Sequence, residues 1–266
     1  MVKNIFNKQY TQYWKEAVNK SVDGTIIADK SIAKIFLDKV ALNKDCISLD
    51  LGCSYGRMFD LLSMYSTIVY GVDIDKSAVD EAQKRNYDAV MVSSSTNINL
   101  PNKSLNLIFC WAVFEVLDHC KTLSEMNRLL SMNGNVLFTA KNDNYSINDN
   151  LAFAAEKNAY LKEFPNSFIN IPFLIKNLKK TGFKLEKLFI FKKRGDLGLG
   201  KYTEIKDFNL QEFICYEFLM ILKKDKNNQL KNSTLSFGNK FSKNSIRLAK
   251  AKGFSSPEKL FRLMGL

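Results

Sequence analysis

Apolar positions along the chain change their period several times. Over residues 4–21, Phe6, Tyr10, Tyr13, Trp14 and Val18 fall at helical spacings of three and four. Residues 30–42, KSIAKIFLDKVAL, predict a second helix with Ile32, Ile35, Phe36 and Val40 on one face. The period then shortens. CISLDLG (46–52) is a compact apolar run closed by glycine, which predicts a buried strand, and a helix is expected from about Gly56 to Ser63. STIVYGVDID (66–75) predicts a second strand and KSAVDEAQKRN (76–86) a helix whose N-cap is Asp75. YDAVMVSSS (87–95) and SLNLIFCWAV (104–113) predict the third and fourth strands. TLSEMNRLLSMNG (122–134) predicts a helix stopped at Asn133-Gly134, and NVLFTAKN (135–142) a fifth strand.

Alternating strands and helices with short joints predict an α/β fold, a mostly parallel sheet with helices on both faces. Later segments add a helix, IPFLIKNLKKTGF (171–183), capped by Gly182. Two further strands, KLEKLFIFKK (184–193) and EFICYEFLMILKK (212–224), would form an antiparallel hairpin at one edge. The total is a doubly wound, seven-stranded sheet. Residues 143–170 are polar and aromatic and too long for a simple joint, which predicts an insertion or lid. The expected organisation is a main domain over 1–222 with an N-terminal helical cap over about 1–42, followed by a basic, partly helical extension over 223–266.

Composition narrows the picture. No run of about 18 apolar residues exists, so no transmembrane helix is expected. The start, MVKNIFNKQYTQYWKE, lacks the apolar core of a secretory signal. Five cysteines (Cys46, Cys53, Cys110, Cys120 and Cys215) without a C-x-x-C pair fit reduced thiols in a cytoplasmic protein and give no metal site. The net charge is +12, yet eleven basic residues against two acids lie from Lys223 onward. The basic character belongs to the tail. It is either a solvated surface or a patch for an acidic partner: a phosphate-bearing substrate, nucleic acid or a membrane surface.

The candidate chemistry starts at LDLGCSYGR (49–57). Asp50 lies at the end of the first strand, and Gly52 and Gly56 bracket Cys53-Ser54-Tyr55 before a helix. Glycine lets the backbone approach a ligand or turn where a Cβ would clash. A pyrophosphate loop would want G-x-G-x-x-G, and Ser54 and Arg57 stand where its later glycines would be. Asp73, in GVDID, is 21 positions after Gly52 at the tip of the next strand, where a carboxylate can accept both ribose hydroxyls. Together these predict a nucleoside-bearing ligand without a diphosphate grip, a description that S-adenosylmethionine fits.

LDLGCSYGR, YGVDID, INLPNKSLNLIFC and LLSMNGNVLFTAKN resemble the successive motifs of class I S-adenosylmethionine-dependent methyltransferases, nearest the type 11-like, small-molecule branch. The similarity is good over about 40–145 and is one of pattern over 170–222. It implies a Rossmann-like sheet and S-adenosylmethionine as cofactor. Asp50, Gly52, Cys53, Ser54 and Gly56 would line the methionine part. Asp73 would hold the ribose hydroxyls, and Ile74 would lie against adenine. Ser94, with Ser95 beside it, stands where the family often has an aspartate facing the adenine amino group. Cys110 and Trp111 would flank the sulfonium.

Many relatives carry Leu-Glu-His shortly after the fourth strand, and counting back from Asn133-Gly134 puts Glu115 at that histidine's place. Glu115 is the first candidate base or acceptor-positioning residue, and His119, the chain's single histidine, the second. The resemblance implies that Tyr10, Tyr13 and Trp14 fold over the site from the N-terminus, with helix core packing as the plain alternative. Lys141, Asn142 and Tyr145, after the fifth strand, should rim the acceptor pocket. Lys192, Lys193 and Arg194 offer positive charge to an anionic acceptor, or form a solvated face.

The resulting expectation is a bacterial cytoplasmic O-methyltransferase acting on a small polar or anionic acceptor: a phosphorylated metabolite, a nucleotide-linked sugar or a surface-polysaccharide precursor. The alternative is an RNA-directed methyltransferase or an RNA-binding module using the basic tail. Against nucleobase N-methylation, CWAVFE stands where an Asn/Asp-Pro-Pro-aromatic segment would be. A nicotinamide oxidoreductase is a third reading, disfavoured by the missing glycine pattern.

Overall fold

A computed structural model describes residue 12 and residues 25–225 and 236–265. Its centre is an eight-stranded sheet in the order β3-β2-β1-β4-β5-β9-β7-β8. The strands are β1 (Ile47–Leu51), β2 (Ile68–Asp73), β3 (Ala89–Val92), β4 (Leu105–Cys110), β5 (Leu130–Lys141), β7 (Phe183–Phe191), β8 (Thr203–Ile205) and β9 (Glu217–Lys224). β1 to β5 run parallel, whereas β9 is antiparallel to both β5 and β7, and β8 is antiparallel to β7. The α/β, mostly parallel sheet with its antiparallel pair is the expected one. The correction is an eighth strand, β8, from the loop between the hairpin strands; three residues carry too weak a period to be read from sequence.

Both faces of the sheet are covered, and alternate residues serve opposite cores. On β4, Ile108 and Cys110 join one cluster while Leu107, Phe109 and the following Trp111 join the other. On β7, Leu188 and Ile190 face the first, and Phe189 and Phe191 the second. Side chains alternating across a pleated sheet require this division when both faces are buried. Helix α1 (Thr25–Leu37) covers the second face, where Phe36 meets Phe189 at 5.0 Å between ring centroids. It ends at Leu37, short of residue 42, and Ile35 is turned outward at 37% exposure while Ala33 is buried.

Helices α2 (Phe59–Leu62), α3 (Lys76–Ala82), α4 (His119–Leu129) and α6 (Ile171–Asn177) connect the strands. Asp75 caps α3 by accepting from the Ser77 amide at 2.8 Å, and Gly182, at φ 78°, ends the short turn after α6. Other helix boundaries also differ from the sequence reading, among them those of α2 and α4. Gly56 lies in a turn, and α2 begins only at Phe59. α4 stops at Leu129, not at Asn133-Gly134, because Leu130 pairs with Leu105 in the sheet and Lys224 Nζ donates to the carbonyls of Asn127 (2.6 Å) and Leu130 (2.7 Å). A partner from β9 thus satisfies carbonyls that the helix end leaves open.

Residues after β5 include α5 (Asn150–Leu161) and β6 (Phe168–Ile169), and β6 pairs antiparallel with β10 (Gly238–Asn239). Helices α7 (Lys243–Ala251) and α8 (Pro257–Leu263) follow. The described part of the basic tail is therefore packed. Glu156 of α5 accepts from the Ser242 amide (2.9 Å), the Ser242 hydroxyl (2.7 Å) and Tyr145 Oη (2.8 Å). Asp143 Oδ2 accepts from Asn170 (3.0 Å) and Asn239 (3.1 Å).

Candidate active site

The strand order reverses at β1, which has β2 on one side and β4 on the other. Ligands of open α/β sheets bind in the crevice beyond the strands' carboxyl ends at such a point. The chain leaves β1 through Gly52 (φ 78°), Cys53, Ser54 (φ 49°) and Gly56 (φ 74°). Gly52 and Cys53 donate their amides to the Val72 carbonyl at 2.8 and 3.0 Å, which folds the turn against β2. Both glycines are also required by space. A Cβ on Gly52 would stand 2.6 Å from Val113 Cγ2, and one on Gly56 would stand 2.8 Å from Arg85 Cδ.

Two non-glycine residues hold left-handed backbone here: Ser54 in the turn and Ala112 (φ 59°) beyond β4. Each costs on the order of 1 kcal/mol or more, and such strain gathers where a fold shapes a site. Thr139 of β5 pins the second one, its hydroxyl accepting from the Ala112 amide at 2.7 Å.

The Asp73 carboxylate stands at the tip of β2 and accepts from the Ser54 amide (2.9 Å, Oδ2) and the Asp75 amide (2.9 Å, Oδ1). Burial raises its pKa, and those amide hydrogen bonds work in the opposite direction. Next to it Ile74 is 49% exposed, and Val92 at the end of β3 is 52% exposed. A carboxylate flanked by two uncovered aliphatic side chains suits a ribose with a planar base beside it. Ser94 and Ser95 lie on the same rim. Ser94 Oγ is 3.0 Å from Thr96 Oγ1, and Ser95 Oγ is 2.9 Å from Thr122 Oγ1 on α4.

Asp50 is buried at the foot of the turn and accepts from Tyr87 Oη at 2.7 Å. Burial pushes its carboxyl up to about 7, against the pull of Tyr87 and Arg57. Cys53 and Cys110 are buried, and the same desolvation pushes both thiols up, so neither is a thiolate nucleophile at neutral pH. Trp111 is buried too, its ring stacked on Phe109 at 5.7 Å in the core under α1. What it offers to the crevice is backbone.

Glu115 follows two residues after Val113 and is buried. Its Oε1 lies 3.3 Å from Lys141 Nζ, while its Oε2 is buried without a hydrogen-bond partner. Burial works against the charge on Lys141, but Glu115, Tyr216 and Glu217 together outweigh it and raise the amine's pKa. His119 is not part of the ion pair but shares Ser167 with the Glu115 backbone, whose carbonyl accepts from the Ser167 hydroxyl at 2.8 Å. Its ring lies 5.0 Å from Phe114, its Nε2 is 3.3 Å from Ser167 Oγ, and burial lowers its pKa, so it is neutral at physiological pH. Asn142 donates through Nδ2 to the carbonyls of Asn144 (2.8 Å), Phe213 (2.8 Å) and Cys215 (3.2 Å). Tyr145 is buried on Tyr216 and Glu156. Lys192, Lys193 and Arg194 are exposed, and Arg194 Nη1 donates to Tyr216 Oη at 3.2 Å. Tyr10, Tyr13 and Trp14 lie outside the described residues.

Residues 49–138 match the methyltransferase domain family. Over that stretch the chain reads as a methyltransferase domain. S-adenosylmethionine is the methyl donor that goes with such a domain, and the turn, Asp73 and the uncovered Ile74 and Val92 fit it. An uncharacterised protein of Methanocaldococcus jannaschii is 23% identical over 153 residues, which cover 57% of this chain and 60% of that protein. A crystal structure of an S-adenosylmethionine-dependent methyltransferase from Thermotoga maritima superposes with a TM-score of 0.60 at 16% identity, over 82% of this chain and 99% of that one. Another from Archaeoglobus fulgidus gives 0.53 at 18% identity, over 73% and 94%. These structural likenesses speak to the fold.

Sequence reading of the methyltransferase domain missed Val113, Tyr87 and Thr139. Val113 closes over Gly52, Tyr87 holds Asp50, and Thr139 holds the bend at Ala112. None carries a motif. Each is placed by pairing between strands distant in sequence.

Proposed function

We propose that the chain is an S-adenosylmethionine-dependent O-methyltransferase acting on a small polar acceptor, with anionic acceptors preferred. The observation that carries the reading is Glu115: a buried carboxylate with one oxygen on Lys141 and the other without a donor, on the short helical turn (Phe114–Val116) after β4, two residues beyond the Val113 that closes over Gly52. A buried acceptor atom left unpaired costs about 1–3 kcal/mol, and a hydroxyl from the acceptor would remove that cost. The donor brings a methyl carbon already activated by the positive sulfur. The chain's part is to hold the attacking oxygen in line, which can contribute roughly 7–11 kcal/mol at best, and to receive a proton where one must leave.

Glu115 Oε2 is the proposed proton acceptor, and Lys141 holds the other carboxylate oxygen at 3.3 Å. Asp73 and Asp50, with the turn from Gly52 to Gly56, hold the nucleoside and amino-acid ends. Ile74, Ser94 and Ser95 line the adenine side, and the backbone at Cys110 and Trp111 borders the sulfur. Asn142 and Tyr145 support the acceptor wall from within. His119 fixes the segment that carries Glu115. The preference for anions rests on the exposed Lys192, Lys193 and Arg194.

The test is a screen of phosphorylated metabolites, nucleotide-linked sugars and polysaccharide precursors with labelled S-adenosylmethionine, read by product mass. The expected result is a product heavier by one methyl on oxygen, with Glu115→Gln lowering turnover and sparing cofactor affinity. Transfer to nitrogen or to RNA alone would overturn the acceptor assignment. No calorimetric binding of S-adenosylhomocysteine would overturn the enzyme.

A further inference from the structure

Helices α5, α7 and α8 share a small aromatic core. Phe261 of α8 lies 5.6 Å from Phe153 and 5.7 Å from Tyr160 of α5, and 5.9 Å from Phe241 before α7, between ring centroids. With their inner faces spent on one another, the outer faces present two kinds of side chain. Residues 236–265 hold seven basic residues against the single acid Glu258, which is already paired with Lys240 at 2.7 Å. Among the described residues no ion pair joins Arg247, Lys250, Lys252 or Lys259 to an acid. Between and beside these cations stand exposed aliphatic side chains: Ile246 at 39%, Leu263 at 60% and Met264 at 44%.

Leu161, 40% exposed at the end of α5, extends the same surface. A Cβ on Gly265 would be 3.0 Å from its Cδ1, and Lys157 Nζ donates to the Met264 carbonyl at 3.5 Å. A cleft of about 450 Å³ between α5 and this layer carries Lys240 and Arg262 beside Tyr160, Phe164 and Phe241, so the mixture of cation and apolar wall continues inward. No helix among the described residues is long and apolar enough to cross a membrane.

We propose that the layer formed by α7, α8 and the end of α5 docks on an anionic lipid bilayer. Unneutralised lysines and arginines are drawn to anionic headgroups, each strengthening association by about fivefold. Cations alone would serve a nucleic acid equally well. The exposed Leu161, Ile246, Leu263 and Met264 decide between the two. Backbone phosphates of RNA give aliphatic side chains nothing, whereas the boundary between headgroups and acyl chains takes them out of water while the charged heads stay hydrated. The association is peripheral and reversible, and it does not depend on the acceptor assigned to the enzyme.

Flotation of the full chain with vesicles tests it, comparing phosphatidylcholine alone with phosphatidylcholine mixed with phosphatidylglycerol. The expected result is flotation with the phosphatidylglycerol vesicles, lost as salt is raised. Arg247→Gln with Lys250→Gln should weaken it by about 25-fold, and Leu263→Ser with Met264→Ser by about tenfold. The second pair should leave retention on an RNA homopolymer unchanged. Flotation that is absent, that is equal on neutral vesicles, or that survives both pairs of substitutions would overturn the proposal, as would RNA retention without flotation. These side chains are exposed, so melting temperature and calorimetric binding of S-adenosylhomocysteine should match the wild type. Loss of cofactor binding in the wild type would count against the enzyme and not against the docking surface.

Discussion

The amide of Ser54 donates to Asp73 Oδ2 at 2.9 Å, so the turn leaving one strand is tied to the tip of its neighbour. The same carboxylate holds the Asp75 amide through its other oxygen. Asp73 therefore shapes the cradle as well as offering lone pairs to a ribose. Asp73→Ala should weaken S-adenosylhomocysteine binding by about tenfold or more and also lower stability by about 1–3 kcal/mol, because two amides lose a charged acceptor. Asp73→Asn keeps one acceptor oxygen and should recover part of the stability with little of the affinity. Calorimetry and urea unfolding on both variants separate the two effects.

Gly52 and Val113 meet across the crevice. Gly52→Ala should abolish measurable cofactor binding, since its Cβ would overlap Val113 in a left-handed backbone. Adding Val113→Ala removes the methyl contacts at 2.6 and 2.8 Å, leaving the tight 3.0 Å approach to the residue 113 Cβ and the backbone strain. The double variant should regain binding while staying roughly 1 kcal/mol less stable than Val113→Ala alone. If the double variant binds no better than Gly52→Ala, the contact is not what limits the site.

Lys141→Met leaves Glu115 buried without its cation and should destabilise by about 3–5 kcal/mol. Glu115→Gln with Lys141→Met should cost less than Lys141→Met alone, because no uncompensated charge remains. Urea unfolding of the four proteins gives the coupling directly. A coupling near zero would mean that the pair does not interact inside the fold.

Burial pushes the Asp50 carboxyl up to about 7 in the folded chain, against near 3.9 for an unfolded aspartate. The folded state thus keeps a proton that the unfolded state has released. The carboxyl's contribution to stability is fully present below about 4 and falls as pH rises toward about 7. Asp50→Asn should flatten that slope and leave the cofactor-free protein more stable at pH 8, by on the order of a few kcal/mol. A cationic amino-acid head placed beside Asp50 lowers its pKa again, so cofactor binding at neutral pH should release protons. Calorimetry in two buffers of different ionisation enthalpy measures that release, and an Asp50→Asn protein that also releases them would assign the proton elsewhere.

The chain's own pattern made the turn legible. An apolar run ending in Asp50-Leu51-Gly52, a second glycine at 56 and an acid at 73 are all local signals, and the structure sets them at one crevice. The helix over 122–134 shows where local signals fail. Leu129 and Leu130 are both apolar and extend a helical stripe, yet β4 claims Leu130, and Lys224, distant in sequence but on the neighbouring strand β9, closes the helix. Asn142 and Tyr145 were legible as residues following a strand, but not in the direction their polar groups take.

By itself the sequence determined the alternation of strands and helices, the glycine turn, the carboxylate at the tip of β2 and the positive charge of the tail. These depend on backbone conformation, on side-chain period and on counting, all short-range. Only the tertiary structure decided that Tyr87 holds Asp50, that Glu115 is buried on Lys141 with one oxygen free, that Trp111 turns into the core, and that the basic tail packs on α5 as a cationic and aliphatic layer. Strand order and packing bring those residues together, and a contact between residues far apart in the chain leaves no local trace that a reader of the sequence could follow.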